Sequence, residues 1–193
     1  MAEVVAETER LRLRTWRDDD REEFSRHLNT PAVMRWLGGV QDEAACTAAF
    51  DRWDALQRDH GHTFWIVERK LGGALLGFCG LKRVNSPGGE DLHGEFEVGW
   101  RLREDAWGQG YAKEAAIASL DLAFDRFRAP HVVALTVPGN TDSQGLMRRL
   151  GMVRRDDLDF VGQFVPGYGS AELTIVHRID AEGWPAARAA ALA

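Results

Sequence analysis

Trp100-Arg101-Leu102-Arg103-Glu104-Asp105-Ala106-Trp107-Gly108-Gln109-Gly110-Tyr111-Ala112-Lys113-Glu114-Ala115 passes from the end of a strand, through a turn with two glycines, into the start of a helix. The first N–H groups of that helix have no partners inside it. Glycine at 108 and 110 removes the side chains that would hold an anion away, and the helix dipole adds partial positive charge at that end. The window therefore offers a seat for a pyrophosphate, although Gly-x-Gly by itself says only that a tight turn is permitted. Two other phosphate motifs fail on inspection. A Walker loop ends in Gly-Lys-Ser/Thr, whereas Gly110 is followed by Tyr111-Ala112; a dinucleotide fingerprint needs a small residue where Lys113 stands.

Working outward, the strand that feeds this turn spans roughly residues 94–102. The helix beyond it carries Ala116, Leu120, Ala123, Phe124 and Phe127 along one stripe, and Pro130 stops it. Upstream, Arg10-Leu11-Arg12-Leu13-Arg14 alternates with period 2 like a half-buried strand, and Asp19 with Glu22 predicts a capping box opening a helix through Leu28. Ala45, Ala49, Phe50, Trp53 and Leu56 predict an amphipathic helix from Asp42 to about His60-Gly61. Residues 63–68 and 74–81 read as a hairpin. Downstream, residues 131–137 form a β-branched strand and residues 141–150 a short helix closed by Gly151. Two last strands, near 152–164 and 171–179, are joined by Pro166-Gly167-Tyr168-Gly169. The order β, two or three α, βββ, α, β, α, ββ describes a mixed α/β (α+β) chain with a largely antiparallel sheet. No linker or repeat divides it, so residues 1–193 read as one domain, with the Ala-rich end 186–193 expected to fray.

The 193 residues suffice to bury a sizeable core without a metal or disulfide. With 24 Lys+Arg against 30 Asp+Glu the net charge is −6, which argues against a generic nucleic-acid binder and accommodates an amine partner. No run approaches the roughly 18 apolar residues of a membrane span, and the first residues lack an apolar signal core, so a cytoplasmic, non-membrane protein is expected. Cys46 and Cys79 lack metal or redox spacing, and His60-Gly61-His62 lacks a third ligand, so no metal is expected. Trp36, Phe50, Trp53 and Trp65 read first as core; the bolder reading has the early helices wall an acceptor slot with some of these rings exposed to it.

Trp107-Gly108-Gln109-Gly110-Tyr111-Ala112 resembles the Gln/Arg-x-x-Gly-x-Gly/Ala acyl-CoA motif of the GCN5-related N-acetyltransferases (GNAT). The surrounding residues are similar to the ribosomal-protein N-terminal (RimJ/RimL-like) branch. Asn140-Thr141-Asp142-Ser143 with Leu150-Gly151-Met152 resembles a second family block, Met replacing Phe. Thr8 to Arg14 and Arg178 to Trp184 extend the likeness over nearly the whole chain. The resemblance implies a splayed strand pair that binds acyl-CoA, with helices on both faces of the sheet. It also implies acetyl-CoA as cosubstrate, the backbone of Trp100, Arg101 and Leu102 pairing with pantetheine, and the turn from Gly108 through Gln109, Gly110 and Tyr111 to Ala112 holding the pyrophosphate. Trp107 stands where Gln or Arg is usual, which removes one side-chain contact. Arg101, Arg103, Lys113, Arg148 and Arg149 are candidate charges for the nucleotide phosphates. A self-paired dimer is common for such folds.

Acyl transfer to an amine needs that amine neutral and an acid for the leaving thiolate. By period 2, Glu95, Glu97 and Gly99 share one strand face and Phe96, Val98 and Trp100 the other. Glu97 matches the glutamate the family often places there and is the first candidate base, Glu95 the second. Met147 stands where many members have a Tyr acid, which leaves Ser143 as the candidate donor; Asn140 positions the cofactor or caps its helix. The expected activity is acetyl transfer in a ternary complex to a peptide N-terminal amine or a small primary amine. A non-catalytic acyl-CoA-binding module, or a donor such as succinyl-CoA, stays open beside it.

Overall fold

The computed structural model describes residues 2–163 and 170–193. In chain order the elements are β1 (Val4–Glu7), β2 (Leu11–Arg14), α1 (Asp20–Leu28), α2 (Glu43–His60), β3 (Phe64–Arg69), β4 (Leu75–Arg83) and β5 (Phe96–Leu102). There follow α3 (Tyr111–Asp121, with a π-helical turn over Leu122–Arg126), β6 (His131–Thr136), α4 (Thr141–Arg149), β7 (Val153–Arg154), β8 (Phe160–Gly162), β9 (Glu172–Asp180) and α5 (Trp184–Leu192). The strands run β1-β2-β3-β4-β5-β6-β9-β7 across one sheet, with β8 paired to β9. Every pairing is antiparallel except β5 with β6. The mixed, mostly antiparallel architecture is the one the sequence predicts.

The parallel pair decides where a substrate can enter. Its register holds for two residues only, Phe96 with Val132 and Glu97 with Val133, while β5 continues to Leu102 and β6 to Thr136. On its other side β5 stays paired to β4 from Phe96 to Leu102. Beyond Glu97 the two parallel strands have parted, and the backbone edge of β5 facing β6 is open.

Each sheet face carries its own core. Leu13, Trp65 and Val98 pack under α3 with Ala116 and Leu120, joined by Leu146 and Met147 of α4. On the opposite face Phe24, Phe50 and Trp53 of α1 and α2 pack on Phe64, Ile66 and Phe78. Trp16 locks this second cluster, stacking on Trp53 at 4.8 Å and donating its indole N–H to Phe64 O. Arg14 joins α1 to the sheet, bidentate to Asp20 at 2.7 and 2.8 Å and bonded to Glu68 Oε2 at 2.7 Å, all three residues buried.

Several expectations fail for identifiable reasons. Asp19 makes no side-chain cap; the Asp20 carboxylate instead accepts the Arg17 N–H, because Arg14 already holds it at the helix start. The strand β1 carries no clean alternation and shifts register between Val4 and Ala6. The expected strand over 152–164 is two short ones, interrupted by a 3-10 turn at Asp156–Leu158 where Arg154 pairs with Asp159. The junction at Pro166 to Gly169 lies outside the described residues. The Ala-rich end is helical, not frayed: Trp184 and Arg188 donate to Asp121, Lys113 Nζ donates to Ala191 O, and Ala191 is buried.

Candidate active site

The turn before α3 is held by its surroundings. Gly108 and Gly110 have φ of 72° and 81°, a left-handed backbone that favours glycine, and no side chain caps the helix among the described residues. The first N–H returned within the turn is that of Glu114, to Gly110 O, so the donors before it face outward. Glu114 ties the helix start to the β1–β2 hairpin, accepting from Thr8 Oγ1 at 2.5 Å and Arg10 Nε at 2.7 Å. Burial works against the Glu114 charge, but these donors outweigh it and lower its pKa. Arg10 also donates to Gln109 O and lies 4.4 Å over the Tyr111 ring.

Two exposed turn side chains tie their polar ends to nearby backbone. Trp107 Nε1 donates to Leu102 O at 2.8 Å, and Gln109 Nε2 donates to Asp105 O at 2.6 Å. Trp107 thus clasps the end of β5 to the turn, and the glycines at 108 and 110 leave backbone facing the cleft between the side chains. Three of the proposed phosphate cations are engaged elsewhere. Arg103 pairs with Asp105, Lys113 holds α5, and the Arg101 side chain lies on the α1/α2 face, opposite α3. Arg149 remains at the wall beside Gly145.

A continuous cleft of about 970 Å³ joins this turn to the opening between β5 and β6, within the range of small-molecule sites. Trp100, Arg101, Leu102, Trp107, Gly108, Gly110, Tyr111, Ala112, Asn140, Ser143 and Glu97 all line it; Gln109, folded onto Asp105, does not. At its far end the turn over residues 31–37 crosses the opening, with Trp36 seated on Gly139 so closely that a Cβ there would come within 2.8 Å of the ring. Of the aromatics proposed for an acceptor slot only Trp36 lines the cleft. Phe50, Trp53 and Trp65 are core, and Phe64 and Phe78 take their place.

Glu97 sits at the last paired position before the strands part, buried, with Lys82 Nζ 2.6 Å from Oε2. The contact is ionic; Oε2 accepts no aligned hydrogen bond among the described residues. Glu95 lies outside the cleft, 2.5 Å from His131 Nε2. Asn140 caps α4, its Oδ1 accepting the Ser143 N–H, which leaves the Ser143 hydroxyl at the cleft wall. Met147 is buried beneath it and has no proton to give. Tyr168 lies outside the described residues. The cleft's charge runs against that of the chain: Arg35, Lys82, Arg101, Lys113 and Arg149 line it, against Glu97 and Asp142.

Residues 10–153 match the family model described as "Acetyltransferase (GNAT) domain", and the chain belongs to that family. It is an acetyltransferase, and the family uses acetyl-CoA as cosubstrate and acts on amine acceptors. It is 33% identical over 147 residues to the uncharacterized Bacillus subtilis protein YkkB, covering 75% of this chain and 83% of that one. The crystal structure of an acetyltransferase from Agrobacterium tumefaciens superposes with a TM-score of 0.74 at 26% identity, over 90% of this chain and 92% of that one. A Vibrio fischeri ribosomal-protein-S5-alanine acetyltransferase shares the fold, with a TM-score of 0.70 at 16% identity over 94% and 99%. Among the described residues no His/Cys/Asp/Glu group could hold a metal, and no helix is long and apolar enough to cross a membrane.

Proposed function

We propose that the cleft transfers an acetyl group from acetyl-CoA to a primary amine, a peptide N-terminal amine or a small molecule, by direct attack with both substrates bound. One observation carries this: the uncapped glycine turn, the open edge of β5 and the buried carboxylate of Glu97 meet in one cleft. Gly108 to Ala112 would hold the pyrophosphate through backbone N–H groups, and the backbone of Trp100 to Leu102 would take pantetheine as an added strand. Acetyl-CoA brings the thioester; the chain's task is to manage protons and position.

Glu97 is the proposed base. Lys82 offsets its charge while the slot is empty. An entering ammonium competes with Lys82 for Oε2 and can surrender its proton there, directly or through a water. The Ser143 hydroxyl is placed to donate toward the leaving sulfur, and a proton held on Glu97 can return to the thiolate in its absence. The ribosomal-protein N-terminal branch remains one version of the acceptor, supported by the motif likeness and by a shared fold. A second reading, a module that binds acyl-CoA without turnover, is favoured by Met147 alone. Thiol release from acetyl-CoA, followed over N-terminal peptides, polyamines and amino acids, separates the two. Acceptor-dependent release supports transfer, whereas thermal stabilisation by CoA with no release on any amine supports the module.

A further inference from the structure

The Arg101 guanidinium has a place in this cleft that cofactor binding does not explain. It projects to the same strand face as Glu97 and Gly99, away from α3, and lies 5.0 Å over the Phe78 ring and 5.8 Å from that of Phe24. Among the described residues its buried Nε finds no acceptor, and no Asp or Glu pairs with it. Residues 164–169, Phe-Val-Pro-Gly-Tyr-Gly, contain no acid that could do so. The titratable group it interacts with is the Cys46 thiol, and burial raises that thiol's pKa, so it is neutral and no counterion. Burial accordingly pushes the Arg101 pKa down to about 10. The attraction of a cation to aromatic rings repays only part of what a desolvated, unpaired ion costs.

The shape of this vacancy in charge is informative. Arg101 lines the cleft with the Phe78 and Phe24 rings beside it, and a carboxylate matches the N–H edge of a guanidinium two bonds at a time. We propose that Arg101 recognises a carboxylate carried by the acceptor itself, so that the enzyme acts on amines bearing a free carboxylate several bonds from the nitrogen. The proposal rests on the transferase reading above. Spacing sets the length class: four residues along a strand separate the Cα atoms of Glu97 and Arg101 by roughly 13 Å. Between them the Phe64 ring, which also lines the cleft, covers Gly99 so closely that a Cβ there would come within 2.8 Å of it. An α-amino acid is too short to reach both ends, whereas a short peptide or an ω-amino acid spans the gap.

The test uses matched acceptors differing in the carboxylate alone: triglycine against triglycinamide, and 6-aminohexanoate against its amide, with thiol release from acetyl-CoA as readout. Wild-type kcat/KM should favour each acid over its amide by tenfold or more, and glycine should be poor. Arg101→Gln should bring the acid-to-amide ratio close to one, and Arg101→Lys should restore part of it. Equal use of acid and amide by the wild type overturns the proposal without any variant, as does a preference that survives Arg101→Gln. If no amine is turned over, the transferase reading fails separately, and calorimetry of triglycine and triglycinamide with CoA-bound protein decides this one. Binding of the acid that Arg101→Gln abolishes supports it; equal or absent binding of both overturns it.

Discussion

Arg14 and Arg101 enter the same aromatic face of the sheet, under α1 and α2, and meet opposite conditions. Arg14 is bidentate to Asp20 and bonded to Glu68, and these acids join α1 to β2 and β3. Burial alone would lower its pKa, but hydrogen bonds to Asp20 and Glu68 outweigh it and raise the pKa. Arg101 has rings in place of carboxylates, and burial prevails. Arg14 has its complement within the chain, which serves folding; for Arg101, at the cleft wall, the proposal is that the acceptor supplies it. The same contrast separates Glu68, satisfied at 2.7 Å, from Glu97, whose Oε2 has an ion-pair partner but no aligned hydrogen bond.

Removing each cation separates the two sites most. Arg14→Met leaves Asp20 and Glu68 buried without their partner and should cost about 3–5 kcal/mol of stability. Arg101→Met exchanges an uncompensated charge and its cation–π contact for an apolar chain, and should stay within about 1 kcal/mol of wild type. Urea unfolding midpoints check both, and equal losses would mean that the two arginines do the same work. A smaller effect follows from pH. The folded pKa of Arg101, about 10, lies below the ordinary arginine range, so its cost to folding is full below pH 10 and is relieved as pH rises through that value. The stability of the wild type relative to Arg101→Met should therefore rise between pH 9 and 11, measured as the difference between their midpoints. A flat difference would place a counterion beside Arg101 after all.

Much of this was legible in the residues, and the limits are physical. Period 2 and turn glycines locate β2 to β6, and the Asp42 cap and Gly61 bound α2 closely, because these signals are local. The helix α5 is not local: its contacts run to Asp121 and Lys113, more than sixty residues away, and an Ala-rich end reveals none of them. The parting of β5 from β6 after two residues leaves no trace in either strand's pattern; the family likeness implied it and the register bears it out. The sequence reading took Arg101 as a candidate for the phosphates, but alternation carried two residues past Gly99 puts it on the Glu97 face, the signal that separates its side chain from the phosphate end. What alternation lacked was Phe24, Phe78 and Cys46, brought from three other elements. The chain's −6 gave no hint that its cleft is lined mainly by cations, since a mean charge carries no positions.

The proposed transfer rests on Glu97, the buried carboxylate where the strands part. The most direct test is the rate of thiol release by Glu97→Gln at saturating acetyl-CoA and acceptor, at neutral pH, beside the thermal shift each protein shows with CoA. The account predicts a rate about 10²–10⁴ lower than wild type, the usual contribution of a general base, with an unchanged shift. A wild-type rate with intact CoA binding would contradict it.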